Sequence, residues 1–185
     1  VSVSEVVRTP RDAYSRIQAE GFDSKVAGYI VNDTSLAVNQ SPDVIGYADI
    51  NFGSTSPKGF SVSIYPYSVN DHDCGEIQVY IDDPLTGKKI GGVYFESRNM
   101  IPKWETVSCK ITETVTGTHD IYFVTDSDTF YIDWFQFSKT TPVESRYEKR
   151  LKEFVPATEA DIIKDYSDTW SATDMMGRKL PGFET

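Results

Sequence analysis

The chain has 185 residues, 39% hydrophobic and 13% aromatic, and a formal net charge of −10. That aromatic load can fill a core, which argues against global disorder, and the length allows one ordinary domain plus some extra sequence. The acidic balance argues against nucleic acid, whose phosphates it would repel, and no apolar run approaches the ~20 residues of a membrane span.

Taken in order, residues 14–139 read as a succession of short strands. Apolar and polar residues alternate over 59–65, 76–82, 105–111 and 119–124, a period of two that buries one face of an antiparallel sheet. Turn chemistry punctuates them: Ser56-Pro57-Lys58-Gly59 before the first, Asp83-Pro84-Leu85-Thr86-Gly87 after the second, Thr116-Gly117-Thr118 before the last. Several short strands at this spacing predict an all-β sandwich or jelly roll. The pattern changes after Lys139. Thr140-Thr141-Pro142 reads as a boundary, and residues 144–154 place Tyr147, Leu151 and Phe154 on one helical face. Thr158 is a candidate cap for a short helix through Asp161. Residues 171–185 have no period. The 140–185 extension of short helix and coil holds too few apolar anchors for a core of its own.

The chemistry of catalysis is sparse. There is no GxSxG, HExxH or P-loop, and the two histidines are His72 and His119. His119, just before an alternating run, reads as a structural histidine. Acidic residues such as Asp71, Asp73, Glu76, Asp126 and Asp128 are numerous, but none has a context that marks a glycosidase pair. Cys74 and Cys109 lack the company of a zinc site. Cys109 falls within an alternating run and reads as a buried thiol, a Cys74–Cys109 bridge being the lesser expectation.

Five segments in order carry a more specific signature: Ile17-Gln18-Ala19-Glu20 with Gly21-Phe22-Asp23-Ser24; 45–53; Trp104-Glu105-Thr106-Val107; 117–122; and 131–137, which includes Ile132-Asp133-Trp134. Together they resemble the family 6 carbohydrate-binding modules over about 14–138. The resemblance implies a non-catalytic β-jelly roll that binds a polysaccharide or oligosaccharide and is covalently linked to the catalytic domain of a secreted, cell-surface or periplasmic bacterial glycoside hydrolase. It also implies a structural Ca²⁺ held by Gln18, Glu20 and Asp133. That chemistry is sound in its own right, because Ca²⁺ takes carboxylate and amide oxygens, and strand alternation would put Gln18 and Glu20 on one face.

The sugar clamp of the family does not carry over. Its Tyr falls on Val38, its Trp on Ile101 and its Asn on Tyr131. Three readings follow. A rebuilt loop site would draw on Tyr131, Tyr29, Asn32, Asn99 and Asp128. A site on a sheet face would use Tyr65 and Tyr67, with Tyr80 and Tyr94 joining them. In the third, glycan binding is lost and the domain serves interdomain packing. Exposed aromatic rings in a cleft would favour binding, an outer apolar patch packing. The stretch from Trp170 to Pro181 bears a short resemblance to the lead-in to catalytic domains of large polysaccharide-degrading proteins.

Overall fold

The computed structural model describes residues 9–25, 29–31, 33–38, 43–66, 74–96, 103–127 and 130–143. These lie in the first of the two units of the chain, Val1–Glu148. The expected helices at 144–154 and after Thr158, and the stretch from Trp170, fall outside the described residues.

Twelve strands are described: β1 (Arg11–Asp12), β2 (Ile17–Gln18), β3 (Ser24–Lys25), β4 (Tyr29–Val31), β5 (Ser35–Val38), β6 (Asp43–Asn51), β7 (Gly59–Pro66), β8 (Cys74–Ile81), β9 (Lys88–Glu96), β10 (Glu105–Lys110), β11 (Thr118–Ser127) and β12 (Phe130–Ser138). One sheet has the order β1-β6-β11-β8-β9, with β3 also on β6; the other runs β10-β7-β12-β5-β4, with β2 on β12. We call them the first and second sheets. Every described pairing except β1–β6 is antiparallel. From β5 onward each connection crosses between sheets, save the β8–β9 hairpin. That is the jelly roll the sequence predicts.

The alternating runs become strands because each has one face to bury. Along β12, Phe130, Ile132, Phe135 and Phe137 point inward, with a register shift between Ile132 and Phe135. Such a bulge opposes extra residues on one strand to fewer on its partner. Phe60, Phe123, Phe135 and Tyr47 meet between the sheets, with ring centroids 4.6–6.2 Å apart. The Tyr47 hydroxyl, taken out of water here, donates to the Ala19 carbonyl at 2.9 Å, and burial pushes its pKa upward. Cys109 is buried in the same core, as its place in the pattern predicts; the side chain of Cys74 is outside the described set.

The amide of Phe137 donates to the Ala13 carbonyl at 2.9 Å, so the chain just after β1 lies beside the end of β12. In the β8–β9 turn, Asp83 accepts from the amides of Leu85 (2.8 Å) and Thr86 (2.7 Å). Beyond it, backbone carbonyls of Asp83 and Ile81 crowd the space a side chain at Gly87 would need. The amides at Thr86 and Leu85 hold the Asp83 carboxyl below its usual range. A depressed carboxyl stabilises the fold above its unfolded-state pKa, and this is lost as pH falls through the folded value. Amide-exchange protection at Leu85 and Thr86 is therefore expected to drop in acid. Asp83→Ala should show the lower protection already at neutral pH; unchanged protection in that variant would refute the capping role.

Candidate functional site

The outward residues of the second sheet make a row of aromatic rings. Alternation along β7 turns Ser61, Ser63 and Tyr65 away from the core, and along β12 it does the same for Tyr131. Tyr131 stands opposite Tyr65 in the register. Trp104 immediately precedes Glu105, which stands opposite Ile64, so it continues the row beyond Tyr65. The Tyr65 and Tyr131 rings are nearly parallel, 15° apart in tilt with centroids 5.9 Å apart. Trp104 lies 5.4 Å from Tyr65, tilted 53°. Trp104 is 46% exposed, and Tyr65 and Tyr131 are half-buried. On the other side of Tyr131 come Ala37 of β5 and then Tyr29 of β4 in register. Aromatic rings lined up on rigid strands, with a half-exposed Trp104 at one end, offer apolar surface to the C–H face of a sugar ring, while tyrosine hydroxyls and an indole N–H supply polar edges.

The row joins residues that the sequence places in alternative sites. Tyr131, expected in a loop site, and Tyr65, expected on a sheet face, are cross-strand neighbours. Tyr29 shares the register row, its side chain outside the described set. Asn32, Asn99, Asp128 and Tyr67 also lie outside the described residues. Tyr80 and Tyr94 belong to β8 and β9 in the first sheet, so they cannot join Tyr65; the β7–β8 connection crosses the sandwich. There the Tyr80 hydroxyl donates to Gln78 Oε1 at 3.0 Å, and Tyr94 packs partly buried against the core. Tyr122 stands opposite Tyr80, and burial, followed by nearby Asp120, Asp83 and Asp82, raises its pKa. Val38, at the family's clamp tyrosine, is fully buried, and Ile101 is outside the described residues. Sequence reasoning used Trp104 only as a strand marker. Extending the β10 alternation back by one residue would have put it on the outer face.

Among the described residues, the exposed large apolar side chains other than Trp104 are Ile30, Leu85 and Val143. They stand on β4, in the β8–β9 turn and beyond β12, and make no outer patch on one element of the kind a packing surface needs. His119 is held in place by Asp82, 3.0 Å from Nδ1, and by the Thr116 carbonyl, 3.0 Å from Nε2. That is the structural role expected of it.

The residues expected to hold Ca²⁺ come from three neighbouring pieces of backbone. Gln18 ends β2 and stands opposite Trp134, next to Asp133 in the β12 bulge. The strand stops there: Glu20 sits in a 3-10 turn, Ala19–Gly21, so alternation does not relate it to Gln18. Glu20 Oε2 is buried with no hydrogen-bond partner. A carboxylate oxygen left without a donor is costly, and a hard cation satisfies it. The donor set fits the ion: two carboxylates and an amide oxygen are the ligand types Ca²⁺ takes.

Comparison with known proteins places this geometry in a context. The family model described as "Carbohydrate binding module (family 6)" matches residues 12–139. A curated relative, endo-1,4-beta-xylanase A of Thermoclostridium stercorarium, is 34% identical over 139 residues, which are 72% of this chain. The chain spans about a quarter, 25%, of that relative's length. Among solved structures, the CsCBM6-3 module of Clostridium stercorarium in complex with cellobiose is similar at 26% identity and a TM-score of 0.59, covering 72% of this chain and all of that one. A family 6 module studied by binding sub-site dissection is 28% identical with a TM-score of 0.55 over the same shares. An arabinoxylan arabinofuranohydrolase from Bacillus subtilis, solved with cellotetraose, shares the fold at 20% identity and a TM-score of 0.60, covering 72% of this chain and 28% of that one.

Proposed function

With the chain belonging to family 6 of the carbohydrate-binding modules and thus a non-catalytic glycan-binding module, we propose that it binds its glycan on the Trp104–Tyr65–Tyr131 row of the second sheet. The observation that carries this reading is the stack of Tyr65 on Tyr131, flanked by a Trp104 that is nearly half exposed. The usual clamp positions here are Val38, Ile101 and Tyr131, so all three members of a loop clamp are replaced, while the sheet face carries a row of rings. An open row along a sheet face suits the side of a linear polysaccharide better than the end of a chain. The relatives suggest a β-linked plant polymer, xylan or a cellulose-like glucan, as ligand. The module then works outside the cell, holding a linked glycoside hydrolase against its insoluble substrate and raising the effective concentration of the reacting bond.

Affinity electrophoresis against soluble xylan, cellulosic β-glucan and mannan tests the assignment. Xylan or β-glucan is expected to retard the protein. If neither does, or if Tyr65→Ala is retarded as strongly as the parent protein, the row is not the site.

Calcium is the second part of the reading. Gln18, Glu20 and Asp133 would hold it, tying β2 and the following turn to the β12 bulge. An ion that binds only the folded chain stabilises it by about 2.7 kcal/mol at a hundredfold excess over its Kd, roughly 10 °C in Tm for a domain of this size. Added Ca²⁺ should raise the Tm by that order, EDTA should reverse it, and Glu20→Ala should not respond. A Tm indifferent to Ca²⁺ and EDTA would exclude the ion.

A further inference from the structure

The outer face of the second sheet has a second feature at its other end. A cleft of about 440 Å³ is lined by Tyr14, Ser61, Gln136, Phe137, Ser138 and Lys139. Gln136 stands opposite Ser61 in the β7–β12 register, as Tyr131 does opposite Tyr65, so cleft and aromatic row share one face. Four strand steps separate Ser61 from Tyr65, about 13 Å.

The lining is suited to a sugar and to one charge. Ser61 Oγ lies 2.8 Å from Ser108 Oγ, and the Gln136 amide nitrogen donates to the Tyr14 carbonyl at 2.5 Å, which fixes hydroxyl and amide groups at the cleft wall. The Tyr14 ring is anchored by its hydroxyl, which donates to the Thr55 carbonyl. Lys139 Nζ sits 4.5 Å from the centre of that ring. A ring face engages an ammonium without using up its three N–H donors. Lys139 is the one ionised side chain of the lining, and among the described residues no carboxylate pairs with it. In a chain of net charge −10, Lys139 brings a cation to the cleft wall, with Asp12 the carboxylate that Tyr14 feels. Long-range repulsion of an anion by the rest of the surface is screened beyond roughly 8 Å at physiological salt, whereas contact with Lys139 is not.

We propose that the Tyr14–Lys139 cleft is a second saccharide subsite that takes a sugar bearing an anionic substituent, a uronate carboxylate or a sulfate ester, on the same glycan chain whose neutral stretch lies on Trp104–Tyr65–Tyr131. The inference rests on the reading of that row as the glycan site and adds a preference that the row itself lacks. A contact between exposed charges changes affinity by only a few fold, so the subsite tunes selectivity and does not dominate binding.

The test compares the full chain with its Lys139→Gln variant on three probes: glucuronoxylan, the same polymer after carboxyl reduction, and xylan sulfate. Lys139 is exposed, so the variant should keep the parent Tm. The parent chain should bind at least one anionic polymer roughly fivefold more tightly than the reduced polymer, and the probe that shows the gain tells carboxylate from sulfate. Lys139→Gln should bind all three as the parent binds the reduced one. No gain on either anionic probe, or a gain that survives in Lys139→Gln, overturns the subsite. Failure of the row is a different result: the reduced polymer is then not bound, or is bound equally by Tyr65→Ala.

Discussion

Replacing Tyr65 with alanine is expected to weaken polysaccharide binding about 30-fold, close to 2 kcal/mol. Tyr65 is the middle ring of the row, with Trp104 5.4 Å away on one side and Tyr131 5.9 Å away on the other. Its loss removes its own stacking face and the lateral support of both neighbours. Central aromatic anchors dominate binding energy for this reason, while peripheral contacts matter less. Tyr65→Phe keeps the ring and should stay within about threefold of the parent. Tyr80→Ala alters the opposite sheet and should leave affinity unchanged. Isothermal titration with a xylo- or cello-oligosaccharide separates these outcomes. If Tyr80→Ala abolishes binding and Tyr65→Ala does not, the glycan lies on the first sheet.

The largest effect on stability is expected at Phe135. It is fully buried and meets Tyr47 (4.6 Å), Phe123 (4.8 Å), Phe60 (6.2 Å) and Phe137 (6.4 Å) between ring centroids. Phe135→Ala should lower the unfolding free energy by about 3–5 kcal/mol, the lost transfer energy plus the cavity left behind. Small domains hold only about 5–15 kcal/mol in total, so the variant is expected to be partly unfolded at 37 °C. Urea denaturation followed by tryptophan fluorescence measures the loss. Trp134→Ala, one residue away and half-buried beneath Arg16, which lies 4.2 Å from its ring, should cost less. A Phe135→Ala loss below 1 kcal/mol would mean that the sheets do not pack through this cluster.

Comparing pattern with structure shows where sequence reasoning holds. β7, β8, β10 and β11 are expected from alternation and observed to within a few residues, because each has one face against the core. β8 ends at Ile81, since Asp82 adopts a φ of +67°, outside the strand region. β9 is hidden in the sequence: Gly91-Gly92 interrupts its apolar face, and a register shift between Val79 and Tyr80 on its partner alters the alternation. The opening motif read as one strand carrying Gln18 and Glu20, but the chain leaves β2 for a 3-10 turn between them. For the binding face, alternation tells which side of its own strand each tyrosine takes and says nothing of which strands are adjacent. Tyr80 is close to Tyr65 along the chain and lies in the opposite sheet, whereas Tyr131 is distant along the chain and lies beside it. Pairing across the jelly roll is a long-range property that no local period encodes.

The hydrogen bond from Phe137 to Ala13 has a mechanical meaning for a module carried by a larger protein. The polypeptide enters and leaves the sandwich at one corner, while Tyr131, near the start of β12, stands six residues earlier, about 20 Å away along the strand. A neighbouring domain tied to either side of the fold pulls on that corner and not on the aromatic row. A module attached at that corner would keep the Trp104–Tyr65–Tyr131 end clear of the joint. The same geometry would let it be spliced into a surface loop of a host enzyme without prising the loop's ends apart.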